Sequence, residues 1–402
     1  MDECIKSVHR ERLQVHYLNS IKRFGLDIAK KVHKFHQSFP DYSYTPLIDL
    51  KSLASTLGVK SIHIKDESCR FGLNAFKCLG GSYCIGAYIA EALGLEISEL
   101  SYELIINDDV KRKLGDVTFV TATDGNHGRG IAWTANRLGL KSVVYMPKGS
   151  SEERLNNIKA LGSNASITEL NYDDTVRYAN EAAAKNGWIL VQDTAWDGYE
   201  TIPVRIMQGY TTMGCETVEQ LSGSIPTHIF LQAGVGAMAA ALTGFFMDLY
   251  QGERRPIITV VEPNKADCFY KTAKKNDGTL QIVNGDMNTI MAGLACGEPS
   301  TIAWDILRDY ADNFVSIPDW IAAKGMRILG NPSGDDKKII SGESGASTLG
   351  LAAEVMQNAS LDWMREQLAI NTNSKILCFS TEGDTDRLNY RRIVWDGLFP
   401  SF

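Results

Sequence analysis

Four short runs concentrate residue types able to hold or transform a small anionic ligand. In the first, Asn74-Ala75-Phe76-Lys77-Cys78-Leu79-Gly80-Gly81, a lysine stands at a turn beside a phenylalanine and ahead of an apolar stretch. An apolar wall and a helix N-terminus both disfavour an ammonium and lower its pKa, as a Schiff-base lysine requires. A surface lysine ahead of a helix gives the same pattern, and on this run alone that plainer alternative is the stronger. The second run is Thr121-Ala122-Thr123-Asp124-Gly125-Asn126-His127-Gly128-Arg129-Gly130. Its glycines permit close ligand approach, Asn126 offers a donor, and Asp124 places a carboxylate at a helix start. A capping turn with Asp124 as N-cap accounts for it equally well.

The third run is Gln232-Ala233-Gly234-Val235-Gly236-Ala237-Met238-Ala239. Small residues between a strand and a helix let successive N–H groups surround a phosphate. No Gly-Lys-Ser/Thr follows, and Ala239 breaks the dinucleotide spacing, so the phosphate belongs to a small cofactor rather than a nucleotide. A tight turn with small packing residues is the alternative. The fourth run, Ser380-Thr381-Glu382-Gly383-Asp384-Thr385-Asp386, carries hydroxyls and carboxylates that could contact a ligand or cap a turn.

Residues this far apart need a scaffold that brings them together. Short β-branched runs alternate with segments rich in Ala, Leu, Glu and Lys. Strands are predicted over 61–65, 117–121, 142–146, 165–170 and 189–192, then 229–232, 257–262, 314–317 and 376–380. Helices are predicted over 128–138, 152–161, 173–186, 236–250 and 347–356. That alternation argues for an α/β fold of βαβ units, with parallel-rich sheets flanked by helices and more strands than one sheet would hold. Residues 1–40 are polar and charged with helical spacing at Leu18, Ile21, Ile28 and Val32. Each of the four runs follows or opens one of these elements.

The chain has 402 residues, 44% hydrophobic and 22% charged, which is ordinary for a globular protein and too long for a single small domain. A net charge of −7 does not favour nucleic acid or an anionic membrane surface. The longest apolar stretch, about 237–247, is too short to span a bilayer. The acidic start Met1-Asp2-Glu3-Cys4 does not look like a secretory signal. The 8 cysteines are sparse and form no CxxC pair, so reduced thiols, a cytoplasmic setting and no structural metal are expected.

In this order, the four runs resemble the fold-type II pyridoxal-phosphate enzymes, the tryptophan synthase β-like superfamily. Tyr44-Thr45-Pro46-Leu47 and Ile64-Lys65-Asp66-Glu67-Ser68 add to the likeness, which runs from about Thr45 to Asp386. Within that superfamily the diaminopropionate ammonia-lyase branch is the most similar. The segments carrying that likeness include Thr123 to Trp133 and Gln192-Asp193-Thr194-Ala195-Trp196-Asp197-Gly198-Tyr199. Common dehydratases have Ser or Ala at the place of Asp124, an Arg-Gly pair at Leu79-Gly80, and a phosphate loop richer in glycine.

The resemblance implies pyridoxal phosphate bound in Schiff-base linkage to Lys77. Asn126 would bind its 3′-oxygen, and Gly234, Val235, Gly236, Ala237 and Met238 its phosphate. Thr381 would face the pyridine nitrogen, with Ser380 one step away as the alternative register. A hydroxyl there donates to an unprotonated nitrogen, which suits elimination better than transamination. The implied reaction is elimination from D- and L-2,3-diaminopropionate to pyruvate and ammonia. Lys77 would be the base for one isomer and Asp124 the second base for the other. Asp193 would hold the substrate's β-ammonium, with Asp197 as runner-up and a loop cap as the plainer reading. The resemblance further implies a homodimer, a large cofactor-binding domain of residues 1–87 and 201–402, and a small α/β domain, 88–200, inserted in it. The cofactor would lie in the cleft between them, at the carboxyl ends of strands.

Other candidates are set aside. His33 and His36 share a helix face but lack a third ligand. His127 is expected to pack near the cofactor, Cys78 to pack beside Lys77, and Tyr172 to border the site. Cys268 and Cys296 lie where relatives can pair cysteines, which a cytoplasmic setting opposes. The alternatives to the ammonia-lyase reading are a serine/threonine dehydratase or β-replacement enzyme on the same fold, and an inactive amino-acid-binding paralogue.

Overall fold

The computed structural model describes residues 4–11, 19–123 and 125–401. Its eleven strands are β1 (Lys6–His9), β2 (Leu47–Asp49), β3 (Ser61–Asp66), β4 (Thr118–Ala122), β5 (Lys141–Met146), β6 (Asn164–Ile167), β7 (Ile189–Leu190), β8 (His228–Gln232), β9 (Ile257–Pro263), β10 (Asn313–Ile317) and β11 (Lys375–Ser380). They form a seven-stranded sheet in the order β1-β10-β9-β8-β11-β3-β2 and a four-stranded sheet in the order β6-β5-β4-β7. The small sheet is parallel throughout. The large one is parallel except at its two edges, where β1 runs antiparallel to β10 and β2 to β3.

Every strand predicted from β-branched runs is present, with shifted ends. The two edge strands were not predicted. Residues 6–9 pair as a strand instead of following the helical spacing read there. Leu18, part of that spacing, lies outside the described residues, while the helix Leu26–Gln37 buries Val32. Short edge strands carry little pattern of their own and exist through the ladder they join. β7 stops after two residues because the Gln192 N–H leaves the ladder and donates to the Tyr199 hydroxyl at 2.9 Å.

Central strands such as β8, β9 and β11 are buried on both faces, as parallel strands between helix layers must be. The helix Cys78–Leu93 is buried along its first nine residues and packs against the twenty-residue helix Thr201–Gln220. Their backbones touch through glycine: a Cβ on Gly209 would lie 2.3 Å from the Leu79 carbonyl oxygen. A Cβ on Gly130, in the helix Asn126–Leu138, would lie 2.9 Å from the Cys78 backbone. These contacts seat the chain after Lys77 between those two helices.

A buried charge cluster holds the approach to that segment. Arg70 donates to both oxygens of Glu67 at 2.8 and 2.9 Å and to both oxygens of Glu216 at 2.7 and 2.8 Å. Lys65 reaches Glu216 at 2.6 Å. Burial opposes ionisation of Glu216, but the Arg70 hydrogen bonds and the two cations hold its carboxyl low. Excellent geometry at every member makes such a cluster tolerable in a dry interior.

Candidate active site

The carboxyl ends of β4 and β7 from the small sheet meet those of β8 and β11 from the large one around a cavity of about 660 Å³, part of it open to solvent. Lys77 reaches it from the residue just before the helix Cys78–Leu93. Its Nζ stands 5.5 Å from the centre of the Phe76 ring, which in turn packs on buried Tyr210.

Asp193 enters from the loop after β7. Its Oδ2 accepts from Lys77 Nζ at 2.5 Å. Burial resists ionisation, but the Lys77 ammonium and then His127 hold the Asp193 carboxyl down to about 2. His127 Nδ1 lies 4.0 Å from the same oxygen, and its Nε2 is 2.8 Å from the Val191 carbonyl, so the ring packs as a spacer beside the pair. Gln192, the next residue along, ties the loop down. Its amide oxygen accepts from Thr121 Oγ1 at 3.0 Å, and its Nε2 donates to the Tyr172 hydroxyl at 3.0 Å. Tyr172 lines the cavity.

Another part of the lining is the loop between β8 and the helix Ala237–Leu249. Gly236 has φ +88°, and a Cβ there would lie 2.4 Å from Phe269. A Cβ on Gly234 would sit 3.1 Å from the Gly293 carbonyl oxygen. Gly236 therefore admits only glycine, and Gly234 leaves little room for a Cβ. The first N–H groups of the helix have no intrahelical partner, and the dipole is positive there, as an anion requires. Gly234, Val235, Gly236, Ala237 and Met238 all line the cavity.

The third wall comes from the chain after β11. Thr381 lines the cavity, and its hydroxyl accepts from Gln232 Nε2 at 2.9 Å. Ser380, the alternative register, instead donates to Ser341 at 2.8 Å, inside the fold. Glu382, to which no role had been given, also faces the cavity and accepts a hydrogen bond from Asn126 Nδ2. It accepts from the Ser344 N–H at 3.3 Å as well. The rest of that run has local work: Asp384 accepts from Asn74 Nδ2 at 3.1 Å, and Asp386 caps the helix Arg387–Val394.

Lys77, Asn126, Asp193, Thr381 and the small-residue loop, more than 300 positions apart at the extremes, thus share one cavity. Asp124 lies outside the described residues, and the N-cap of the following helix is Gly125. Asp197 is exposed and does not line the cavity. His33 contacts the Tyr42 hydroxyl at 2.5 Å and His36 contacts Thr212 at 2.7 Å, both within packing layers. Cys78 is buried. The cysteines, Cys268 and Cys296 included, are present as thiols, and Cys296 contributes to the cavity wall. Among the described residues no group of three side chains could hold a metal ion, and no helix is long and apolar enough to cross a membrane. Gln232, Ser344 and Glu382 were not singled out because nothing local distinguishes a polar residue that faces a ligand from one that caps a turn. A lysine amine, an anion-binding helix start and hydrogen-bonding groups around one cavity can hold a phosphorylated aldehyde.

Comparison with known proteins agrees with this geometry. The family model of pyridoxal-phosphate dependent enzymes matches residues 39–362. A diaminopropionate ammonia-lyase of Salmonella typhimurium is 52% identical over 375 residues, 92% of this chain and 93% of the relative. The crystal structure of diaminopropionate ammonia lyase from Escherichia coli in complex with D-serine superposes with a TM-score of 0.92 at 46% identity, covering 99% of this chain and 98% of that one. The same enzyme in complex with an aminoacrylate-PLP azomethine reaction intermediate gives a TM-score of 0.90 at 46% identity over the same shares.

Proposed function

The chain belongs to the pyridoxal-phosphate dependent enzymes, on their diaminopropionate ammonia-lyase branch, and from that premise we propose that it converts D- and L-2,3-diaminopropionate to pyruvate and ammonia. The observation that carries this reading is the buried carboxylate of Asp193, 2.5 Å from Lys77 Nζ and facing the cavity. A hydroxy-amino acid has no need of such a group, whereas a diamino acid brings a second ammonium that must be paired to enter a dry site.

The cavity fits pyridoxal phosphate. Its loop carries glycine at positions 234 and 236 ahead of a helix start, and Lys77 lines the same cavity. Gly234, Val235, Gly236, Ala237 and Met238 would hold the phosphate, Asn126 the 3′-oxygen, and Thr381 the ring nitrogen. The bound cofactor supplies the electron sink for charge left at Cα.

The chain's own residues do the rest. Lys77 removes the Cα proton on the face it occupies, and Asp124 removes it on the other for the second isomer. Asp193 keeps the β-nitrogen as an ammonium, so it departs as neutral ammonia with no further proton required. The wall around Phe76 and Tyr210 excludes water while the proton is in transit. The unsaturated amino acid left behind hydrolyses to pyruvate and a second ammonia.

The division into 1–87 with 201–402 and an inserted 88–200 belongs to the same proposal and is supported by the two separate sheets. A homodimeric, cytoplasmic enzyme acting on a small amino acid is the accompanying expectation.

The test is pyruvate release from D- and L-diaminopropionate, D- and L-serine and L-threonine in parallel. Turnover of both diaminopropionate isomers with poor serine activity is expected, and Asp124→Ala should lose the D-isomer preferentially. Preference for L-serine or L-threonine would overturn the substrate assignment in favour of a dehydratase on this fold.

A further inference from the structure

Gln232, the last residue of β8, is buried and lines the cavity next to Thr381. Both protons of its amide nitrogen are committed. One goes to the Phe379 carbonyl oxygen at 2.9 Å and the other to Thr381 Oγ1 at 2.9 Å. The orientation of this amide is decided chemically. A backbone carbonyl can only accept, so the nitrogen and not the oxygen of Gln232 must face Phe379. The same nitrogen then donates to Thr381, whose hydroxyl oxygen is thereby an acceptor on that side. A hydroxyl has one proton to give. Among the described residues no acceptor for the Thr381 proton is recorded, and the cavity is where Thr381 opens.

We propose that Gln232 is a positioning residue that polarises Thr381. By donating to its oxygen, Gln232 turns the Thr381 hydroxyl into a one-way donor toward the cavity, and so selects a ligand atom there that accepts. The inference rests on the reading of this cavity as the pyridoxal phosphate site with Thr381 opposite the ring nitrogen. On that reading Thr381 gives its proton to an unprotonated nitrogen, and a protonated ring nitrogen, needing an acceptor, is disfavoured. The choice between the two ring states is then made through the hydrogen bond from Gln232 to Thr381.

Substitution should reverse the chain of donors. In Gln232→Glu a neutral carboxyl brings one proton where the amide brought two. The Phe379 carbonyl, able only to accept, claims it. The same carboxyl oxygen then accepts from Thr381, whose hydroxyl rotates and presents a lone pair to the cavity. A carboxylate at that position would take the Thr381 proton in the same way.

The experiment is the 15N resonance of ring-labelled pyridoxal phosphate in the reconstituted holoenzyme, which reports protonation of that nitrogen directly. Wild type and Thr381→Ser should show the unprotonated position. Gln232→Glu should raise the protonated fraction about ten-fold, the effect of one redirected hydrogen bond. Gln232→Met fills the same space and donates nothing, so it should move the signal part of the way; it carries the test if Gln232→Glu does not fold. A signal unchanged in the Gln232 variants but shifted in Thr381→Val would overturn the role of Gln232 and leave the cofactor reading standing. A signal unmoved by any substitution at either residue would mean the ring does not face Thr381, and that reading would fail together with the inference. A protonated signal in wild type would overturn the inference outright.

Discussion

Replacing Asp193 by asparagine separates recognition of an amine from general support of the site. The carboxylate is buried, accepts from Lys77 Nζ at 2.5 Å, and is held down to about 2 from an ordinary 3.8. At 1.36 kcal/mol per pH unit, that difference is about 2 kcal/mol of preference for the charged form, net of the burial that opposes it. A substrate ammonium that takes over this carboxylate draws on the same preference. Asparagine keeps the shape and loses the charge, so kcat/KM for diaminopropionate should fall roughly thirty-fold. Serine presents a neutral β-hydroxyl and has little to lose, so its kcat/KM should change by no more than about three-fold. The assay is pyruvate release over a range of each substrate, with the ratio of the two kcat/KM values as the readout. An equal loss on both substrates would refute the argument and leave Asp193 as a partner that only positions Lys77. The same ion pair contributes stability to the cofactor-free protein above pH 3.8, and that contribution should be lost as pH falls toward 2.

Gly236→Ala adds a Cβ 2.4 Å from Phe269 at φ +88°. Backbone strain of about 1–3 kcal/mol should lower cofactor affinity roughly five- to 150-fold by equilibrium dialysis; unchanged affinity would remove the loop from the phosphate site. Glu216→Gln leaves the Lys65 and Arg70 cations short of a counter-charge in a dry interior. It should destabilise the fold by about 3–5 kcal/mol in urea unfolding, and a loss under 1 kcal/mol would show that the cluster is better hydrated than its burial implies. Glu343 is pushed up to about 7, first by burial and then by the Glu382 carboxylate, against an ordinary 4.5. Its contribution is therefore complete below pH 4.5 and disappears as pH rises through 7, by at most about 3 kcal/mol. Glu343→Gln should flatten that decline in unfolding free energy between pH 4.5 and 7.

Much of this protein was legible in its residues. The β-branched runs separated by helical segments declared parallel sheets because each such strand must be buried on both faces. Lys77, Asn126 and the loop around Gly236 stood out as turns with small residues and helix starts, but each run alone fitted a plain cap or packing turn, and only their order along the chain, through the family resemblance, pointed to one shared site. Asp193 and Asp197 were separable only as first choice and runner-up; packing places one in the cavity and the other in solvent. The tertiary structure alone places Thr381 rather than Ser380 on the cavity, since one step along an extended chain reverses the face and only the neighbours Gln232 and Ser341 say which face is which. It alone joined Glu382 to Asn126 across 256 positions and Arg70 to Glu216 across 146. The edge strand Lys6–His9 likewise exists through its pairing with β10. Local motifs set backbone shape over a few residues, whereas the direction of a hydrogen bond or the charge state of a buried carboxylate is a property of two distant groups and exists only once the chain has brought them together.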